Sequence, residues 1–318
     1  MTQARPTVSF VATVYNKAPY LPDVLDAISG QRGAFARQCV FVDDGSSDDS
    51  LAILRERTSG WPDTIIVTQA NAGPARASNT GLRLAHGAFV KFVDGDDVLA
   101  PDATAQLIEL AERHDAELSY GAGAHYDPGR GLPETPEPDD AGWLHPDPLG
   151  FVLTSPPFNL SQVLVRRSAA EAVGGFDDRI FVQDYPFLLR LAERHRFAGT
   201  RATVCFFPRQ TRQGGTRLTD NHANMLFHAN LTLLLFCREH ELAPERLALA
   251  AARAVGRSWL YARRHLGSGV LSREYRAFAW DRIAPARDRL TALRRIRNSL
   301  RAFGSEPAQR YAALLAAS

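Results

Sequence analysis

Along the first 120 residues the apolar positions follow two alternating periods. Short runs of apolar, β-branched or aromatic residues recur at 8–14, 38–42, 64–68, 88–93 and 116–120; they are short for helices and rich in side chains that suit a pleated sheet. Between them, segments 20–31, 47–58, 75–86 and 101–114 carry apolar residues three to four apart, as in Leu21, Val24, Leu25 and Ile28 or Leu107, Ile108, Leu110 and Ala111. Each such segment presents one buried helix face. Strand then helix, repeated at this spacing, predicts a mostly parallel sheet flanked by helices, the α/β class. In such sheets ligands bind beyond the carboxyl ends of the strands, which directs attention to the residues that follow each one.

From 126 to 157 the chain turns rich in Pro, Gly and Asp and reads as a long surface loop. Regular structure is expected again as a strand at 161–165, a short helix at 168–173, the turn Gly174-Gly175, a helix at 185–194 and a strand at 203–207. Beyond about residue 219 the pattern is helical throughout, at 221–240, 244–265, 272–283 and 287–303. The expected organisation is therefore an α/β domain over 1–219 and a helical C-terminal region over 220–318.

Composition sharpens this picture in three ways. With 318 residues, 45% of them hydrophobic and 23% charged, the chain can bury a sizeable core and is not a disordered or disulfide-stapled class. Its apolar runs, such as 231–237, fall short of the roughly 20 residues a membrane span needs, and the first residues lack a signal peptide's layout, so a cytoplasmic location is the expectation. Cys39, Cys205 and Cys237 each sit in an apolar stretch and read as buried thiols. A net charge of +2 argues against a nucleic-acid partner, but it conceals a split. Residues 1–219 carry 21 basic and 27 acidic side chains, whereas 220–318 carry sixteen arginines and eight acids. Only two basic residues in the whole chain, Lys17 and Lys91, are lysines.

The strand ends hold unusual chemistry. Tyr15-Asn16-Lys17 follows the first strand, Asp43-Asp44-Gly45-Ser46-Ser47-Asp48-Asp49 the second, and Asp94-Gly95-Asp96-Asp97 the fourth. Carboxylates bunched at one sheet edge repel unless something positive or hydrogen-bond-donating is held there. Asp48 and Asp49 read as caps or first-turn acids of the helix that follows. Capping cannot occupy Asp94, Asp96 and Asp97 together, and clustered carboxylates are hard oxygen ligands suited to Mg2+ or Mn2+. After the third strand, Asn71-Ala72-Gly73-Pro74 opens a helix whose first N–H groups are free, with Arg76 placed to meet a phosphate or to pair with the acidic cluster.

Taken together, these stretches resemble family 2 of the nucleotide-diphospho-sugar glycosyltransferases, which have the GT-A fold, a Rossmann-like sheet. The match runs in order through Val14-Tyr15-Asn16, Val42-Asp43-Asp44-Gly45-Ser46-Ser47-Asp48, the Asn-x-Gly segment, the Asp-x-Asp at 94–96, and Gly174-Gly175-Phe176-Asp177 followed by Gln183-Asp184-Tyr185. It covers roughly residues 6–210. The resemblance implies that Tyr15 stacks on the nucleotide base and that Asp44 or Asp43 accepts the ring N–H, with Asn16, Asn71, Arg76, Asp94 and Gly95 also at the donor. Asp96, with Asp97, would ligate the Mn2+ or Mg2+ bridging the donor phosphates, and Asp184 would be the general base. Asp184 also suits the N-cap of the helix that follows. Arg209 and Arg212 match the family's phosphate-closing segment only loosely, and Ser78 stands where the family often has Arg.

The implied activity is inverting, metal-dependent transfer of a sugar from a UDP-sugar to a hydroxyl of a glycan or lipid-linked acceptor, in cell-envelope polysaccharide or glycoconjugate synthesis. A sugar-phosphate nucleotidyltransferase shares the fold and the metal but normally needs a Gly-rich loop after the first strand; retention of Asp96, Asp97 and Asp184 counts against a non-catalytic nucleotide-sugar scaffold. The basic amphipathic helices of the C-terminal region are candidates for packing on the catalytic domain, for a homodimer contact or for docking on an anionic membrane surface.

Overall fold

The structure, a computed structural model, describes residues 5–127, 131–134, 141–154, 158–209, 221–304, 309 and 311–316. The chain falls into two compact units: Met1–Pro148, Phe158–Asp178 and Arg190–Arg217 form the first, and Leu149–Pro157, Arg179–Leu189 and Leu218–Ser318 the second.

The first unit is built on one sheet. Strands β1 (Thr7–Val14), β2 (Ala36–Asp43), β3 (Thr64–Thr68) and β4 (Phe89–Asp94) form its parallel half, in the order β3-β2-β1-β4. Their connections are α1 (Leu21–Ser29), α2 (Ser50–Arg57) and α3 (Pro74–Leu84). Helix α1 buries the four apolar residues its spacing marks, Leu21, Val24, Leu25 and Ile28, and they join Phe10, Phe41 and Phe89 in one core cluster. Register decides the function of this half: Thr13 pairs with Asp94, Val14 with Asp43, and Asp43 with Thr68. The loops bearing Tyr15, Asp44 and Asp96 therefore leave the sheet side by side.

The sheet continues from β4 through β8 (Val163–Arg166), β6 (Leu118–Tyr126) and β9 (Phe197–Pro208) to β5 (Val98–Leu99), with β7 (Trp143–Leu144) pairing on β9. β6 and β9 are parallel, whereas β8, β5 and β7 run antiparallel to their partners. Helix α4 (Ala103–Arg113) follows β5, and α6 (Arg167–Ala172) follows β8.

Three expectations need correction. The span 126–157 is not loop throughout: it holds β7 and α5 (Pro148–Thr154), and Tyr120 of β6 packs edge-on against Trp143 and stacks at 4.3 Å on Phe158. A two-residue strand leaves no periodic trace, and its pairing comes from a distant strand. The expected strand at 161–165 opens instead with a 3-10 turn, Leu160–Gln162, closed by a reciprocal cap between Asn159 and Gln162. The last strand begins at Phe197 and not at 203, because Gly199 and the Thr-Arg pair dilute the apolar run while the ladder to β6 persists.

The second unit contains α8 (His222–Glu239), α9 (Pro244–His265), α10 (Arg273–Ile283), α11 (Arg289–Ser299) and a short terminal helix Ala312–Ala316. Helix α7 (Asp184–Arg194) begins in the second unit and ends in the first. Side chains of Asn221, Ser272 and Asp288 cap α8, α10 and α11, each worth about 1 kcal/mol. Asn230 of α8, fully buried, donates to Ala254 O of α9 at 3.0 Å and to Ser299 Oγ of α11 at 2.9 Å. Among the described residues no helix is long and apolar enough to cross a membrane. All three cysteines are buried, and burial pushes Cys39 up to about 11 and Cys237 to about 12.

Candidate active site

Tyr15 leaves β1 with 43% of its surface exposed, so its ring is available for stacking. Asn16, next to it, sits at φ 53°, a left-handed conformation that Asn tolerates. Its Oδ1 accepts from Ser47 N at 2.8 Å and its own N–H donates to Ser46 Oγ at 3.0 Å. Asn16 thereby fastens the β1 loop to the β2 loop.

Asp44, 4% exposed, binds the loop after β3: Oδ1 accepts from Gln69 Nε2 (2.8 Å) and Ala72 N (3.0 Å), and Oδ2 from Gly73 N (2.9 Å). These bonds leave a carboxylate with little spare acceptor capacity. Its neighbour Asp43 is 2% exposed and accepts from Ser46 N at 3.3 Å. Gly45, at φ +76°, lets the same two loops close up, because a Cβ there would lie 2.9 Å from Asn71 N. Asn71 itself is exposed.

Of the two acids expected to cap α2, only Asp48 bonds one of the helix's leading N–H groups. Asp49 precedes the helix without a side-chain capping bond, whereas Asp48 accepts from Ser50 N at 3.0 Å and from Ala18 N at 3.0 Å, tying α2 to the β1 loop. One carboxylate thus serves a local and a long-range donor at once.

The Asp94–Asp97 turn is surrounded by the chain's two lysines. Lys17 Nζ lies 2.8 Å from Asp96 Oδ2, both side chains largely buried. Gly95 makes room for this approach, since a Cβ there would stand 3.0 Å from Lys17 Cγ. Lys91, fully buried on β4, donates to the carbonyls of Ser161 and Val163. Desolvation lowers its pKa to about 8, partly opposed by the nearby charges of Cys205, Asp97 and Asp94. Ser161 Oγ in turn accepts from Asp94 N at 2.9 Å. The sequence marks Lys91 only as a lysine inside an apolar run, and it contains no signal for Ser161.

A divalent ion suits this turn under a definite restriction. Among the described residues no three His, Cys, Asp or Glu side chains converge as a metal cage. Asp96 nonetheless already holds a cation, the Lys17 ammonium, and ions such as Mg2+ are commonly bound by one or two carboxylates with substrate phosphates completing the shell. The donor set therefore fits a metal that arrives with a diphosphate.

Arg76 does not reach the acidic turn. Its Nε pairs with Asp178 Oδ2 at 3.0 Å, both groups exposed. The Gly174–Asp177 block is fastened to α3 by Asn79, which donates to Phe176 O (2.9 Å) and accepts from Phe176 N (2.8 Å). Arg190 clamps it from α7 through Val173 O and Gly175 O. Arg209 is exposed, 3.8 Å from Asp127 Oδ1. Arg212 lies outside the described residues.

Asp184 belongs to the second unit and is the first residue of α7 rather than its N-cap. Desolvation by burial raises its pKa to about 6, against the opposing pull of Tyr185 N, which donates to Oδ1 at 2.7 Å. A carboxylate so tuned is ionised at neutral pH yet basic enough to accept a proton. The next residue, Tyr185, is fully buried beneath the Arg257 guanidinium, 4.9 Å from its ring.

Comparison with known proteins places this geometry. The chondroitin synthase of Escherichia coli is 37% identical over 104 residues, which is 33% of this chain and 15% of that protein. The minor teichoic acid biosynthesis protein GgaB of Bacillus subtilis is 29% identical over 116 residues, 36% of this chain and 13% of its own length. The chain thus spans only a minor part of these curated relatives. Among solved structures, Staphylococcus aureus TarS 1-349 in complex with UDP-GlcNAc superposes with a TM-score of 0.62 at 17% identity, over 97% of this chain and 88% of that one. The mannosyltransferase PcManGT of Pyrobaculum calidifontis, in complex with GDP-Man and Mn2+, gives 0.62 at 19% identity over 95% and 86%. These two share the fold. Residues 9–155 match the profile described as glycosyl transferase family 2, and over that span the strand-end acids, the Asp94–Asp97 turn and the sheet that aligns them make the chain similar to that family.

Proposed function

We propose that the protein transfers a sugar from a nucleoside-diphosphate donor, UDP-linked, to a hydroxyl group of a glycan or lipid-linked acceptor, with inversion at the sugar carbon. The observation that carries this reading is the β-register that brings Tyr15, Asp43, Asp44 and the Asp94–Asp97 turn to one sheet edge. Tyr15 offers a ring face to the base, and Asp43, with fewer bonds than Asp44, is the better-placed acceptor for a base N–H. Support for a diphosphate donor comes from the fold neighbours solved with UDP-GlcNAc and GDP-Man. Chondroitin and teichoic acid in the names of relatives support an envelope polysaccharide as acceptor.

Asp96 and Asp97 would hold Mn2+ or Mg2+, which when bound neutralises charge on the departing diphosphate. Lys17 keeps the Asp96 carboxylate oriented at the turn and supplies a second positive charge beside it. Asp184 removes the acceptor hydroxyl's proton, the task for which its raised pKa suits it. The test is release of UDP from a panel of UDP-sugars with Mn2+, with and without glycan acceptors. Turnover lost in Asp96→Ala supports the reading; tight UDP binding with no turnover on any donor or acceptor overturns it in favour of a binding protein.

A further inference from the structure

Helix α10 carries aromatic residues on two opposite faces, and the fold uses only one of them. The inner face is Tyr275, Phe278 and Asp281. Tyr275 packs edge-on at 5.1 Å and Phe278 stacks at 6.4 Å on Trp259 of α9, while Asp281 forms a buried ion pair with Arg295 of α11. At 100° per residue the opposite face is Arg273, Arg276, Trp280 and Ile283. Trp280 is 60% and Ile283 77% exposed, and in the turn just before the helix Val270 is 63% and Leu271 87% exposed. Single exposed apolar residues need no explanation. A tryptophan and three aliphatic side chains gathered on one helix and its leading turn do call for one.

The surrounding charge identifies the occupant. Residues 266–301 contain nine arginines and three acids, and Asp281 is consumed by Arg295. A second copy of this face would bring the same positive excess against itself, which costs rather than gains free energy. An anionic bilayer offers both complements: a negative surface for the guanidinium groups and an interfacial layer that accepts an indole and short aliphatic side chains. Trp280 also borders a cavity with Arg273, Glu274, Ala277, Asn298 and Arg301; Arg273 Nη2 is 3.3 Å from Glu274 there, and the Arg301 guanidinium fork can meet a headgroup phosphate.

We propose that the outer face of α10, with the turn before it, is a docking surface for an anionic lipid bilayer. The helix lies in the interface plane, Leu271, Trp280 and Ile283 entering the headgroup region and Arg273 and Arg276 contacting lipid phosphates. This reading does not depend on the sugar transferred or on turnover.

The experiment is co-sedimentation of the full chain with vesicles of phosphatidylcholine alone and of phosphatidylcholine mixed with phosphatidylglycerol. Binding is expected only to the mixed vesicles, weakening as salt rises, with a blue shift of tryptophan emission that is absent in Trp280→Phe. The pair Trp280→Ala and Ile283→Ala, and separately Arg273→Gln with Arg276→Gln, should each lower the partition coefficient by about tenfold or more, while circular dichroism and UDP binding stay as in the parent chain. Equal partitioning of parent and both variants overturns the proposal. So does a dimer in the absence of lipid that Trp280→Ala with Ile283→Ala converts to monomer, since the face would then belong to a second copy.

Discussion

The carboxyl edge of the sheet and the arginine-rich helical unit put charge to opposite uses. At the sheet edge, charged groups are buried or half-buried and answered individually: Asp44 by three donors, Asp48 by two backbone N–H groups, Asp96 by Lys17. In the helical unit the arginines are mostly solvated; Arg179 pairs with Glu239 at the surface, and Arg295 with Asp281 is a buried exception. Burial makes the first arrangement rigid and costly to disturb, whereas exposure makes the second cheap to alter and long in reach. Lysine use follows the same line. The chain's two lysines both serve the acidic turn, where a compact ammonium on a flexible stem fits a buried position that a planar guanidinium fork would not.

This contrast can be broken by experiment, beginning where the effect should be greatest. Asp184→Asn is expected to lower the transfer rate by about 10²–10⁴ while leaving donor affinity intact; stopped-flow binding beside steady-state kinetics would check both, and unchanged transfer removes Asp184 from the mechanism. Lys91→Met should destabilise the chain by about 3–5 kcal/mol in urea unfolding, because Asp94 and Asp97 lose their internal counter-charge and two carbonyls lose a donor. An effect under 1 kcal/mol would mean that solvent reaches the turn.

Asp184 gives a pH-dependent test of intermediate size. Its folded pKa, about 6, lies above the ordinary 3.8, so between those values the folded state binds the extra proton and stability falls as pH rises. Removing the charge should therefore make Asp184→Asn more stable than the parent by about 1–3 kcal/mol at pH 7, a gain that disappears near pH 4. Paired urea titrations at the two pH values would show it, and a pH-independent difference would point to packing instead. Asn79→Ala, which unfastens Phe176 from α3, should cost about 1–3 kcal/mol, read as a shift in melting temperature without a change in slope of the denaturant curve. Smallest of all, Arg263→Gln with Arg264→Gln on the exposed end of α9 should stay within about 0.5 kcal/mol of the parent in the same assay. A larger loss would show that the end of α9, too, relies on specific charge pairs, as the buried Arg295–Asp281 pair does.

The parallel half of the sheet was legible because its strands are apolar runs of ordinary length and its helices have a clear buried stripe, as in α1. Strands β5 and β7 were not, since two residues have no period and their pairing is set by β9. At the site, the residue types and their order were readable, but their partners were not. Arg76 pairs with Asp178, 102 positions away, and Asp48 adds a bond to Ala18 N of the β1 loop to its local one, partners that only the tertiary fold brings near.

By itself the sequence determined the α/β class, the acid-bearing strand ends and the opposite charge of the two halves, since periodicity, residue type and composition are properties of the chain read in one dimension. Only the tertiary structure decided which carboxylates are occupied and by what. It assigned both lysines to one turn, raised the pKa of Asp184, and left Trp280 and Ile283 facing outward. Burial and desolvation depend on what the rest of the chain brings alongside a residue, and no local pattern encodes that.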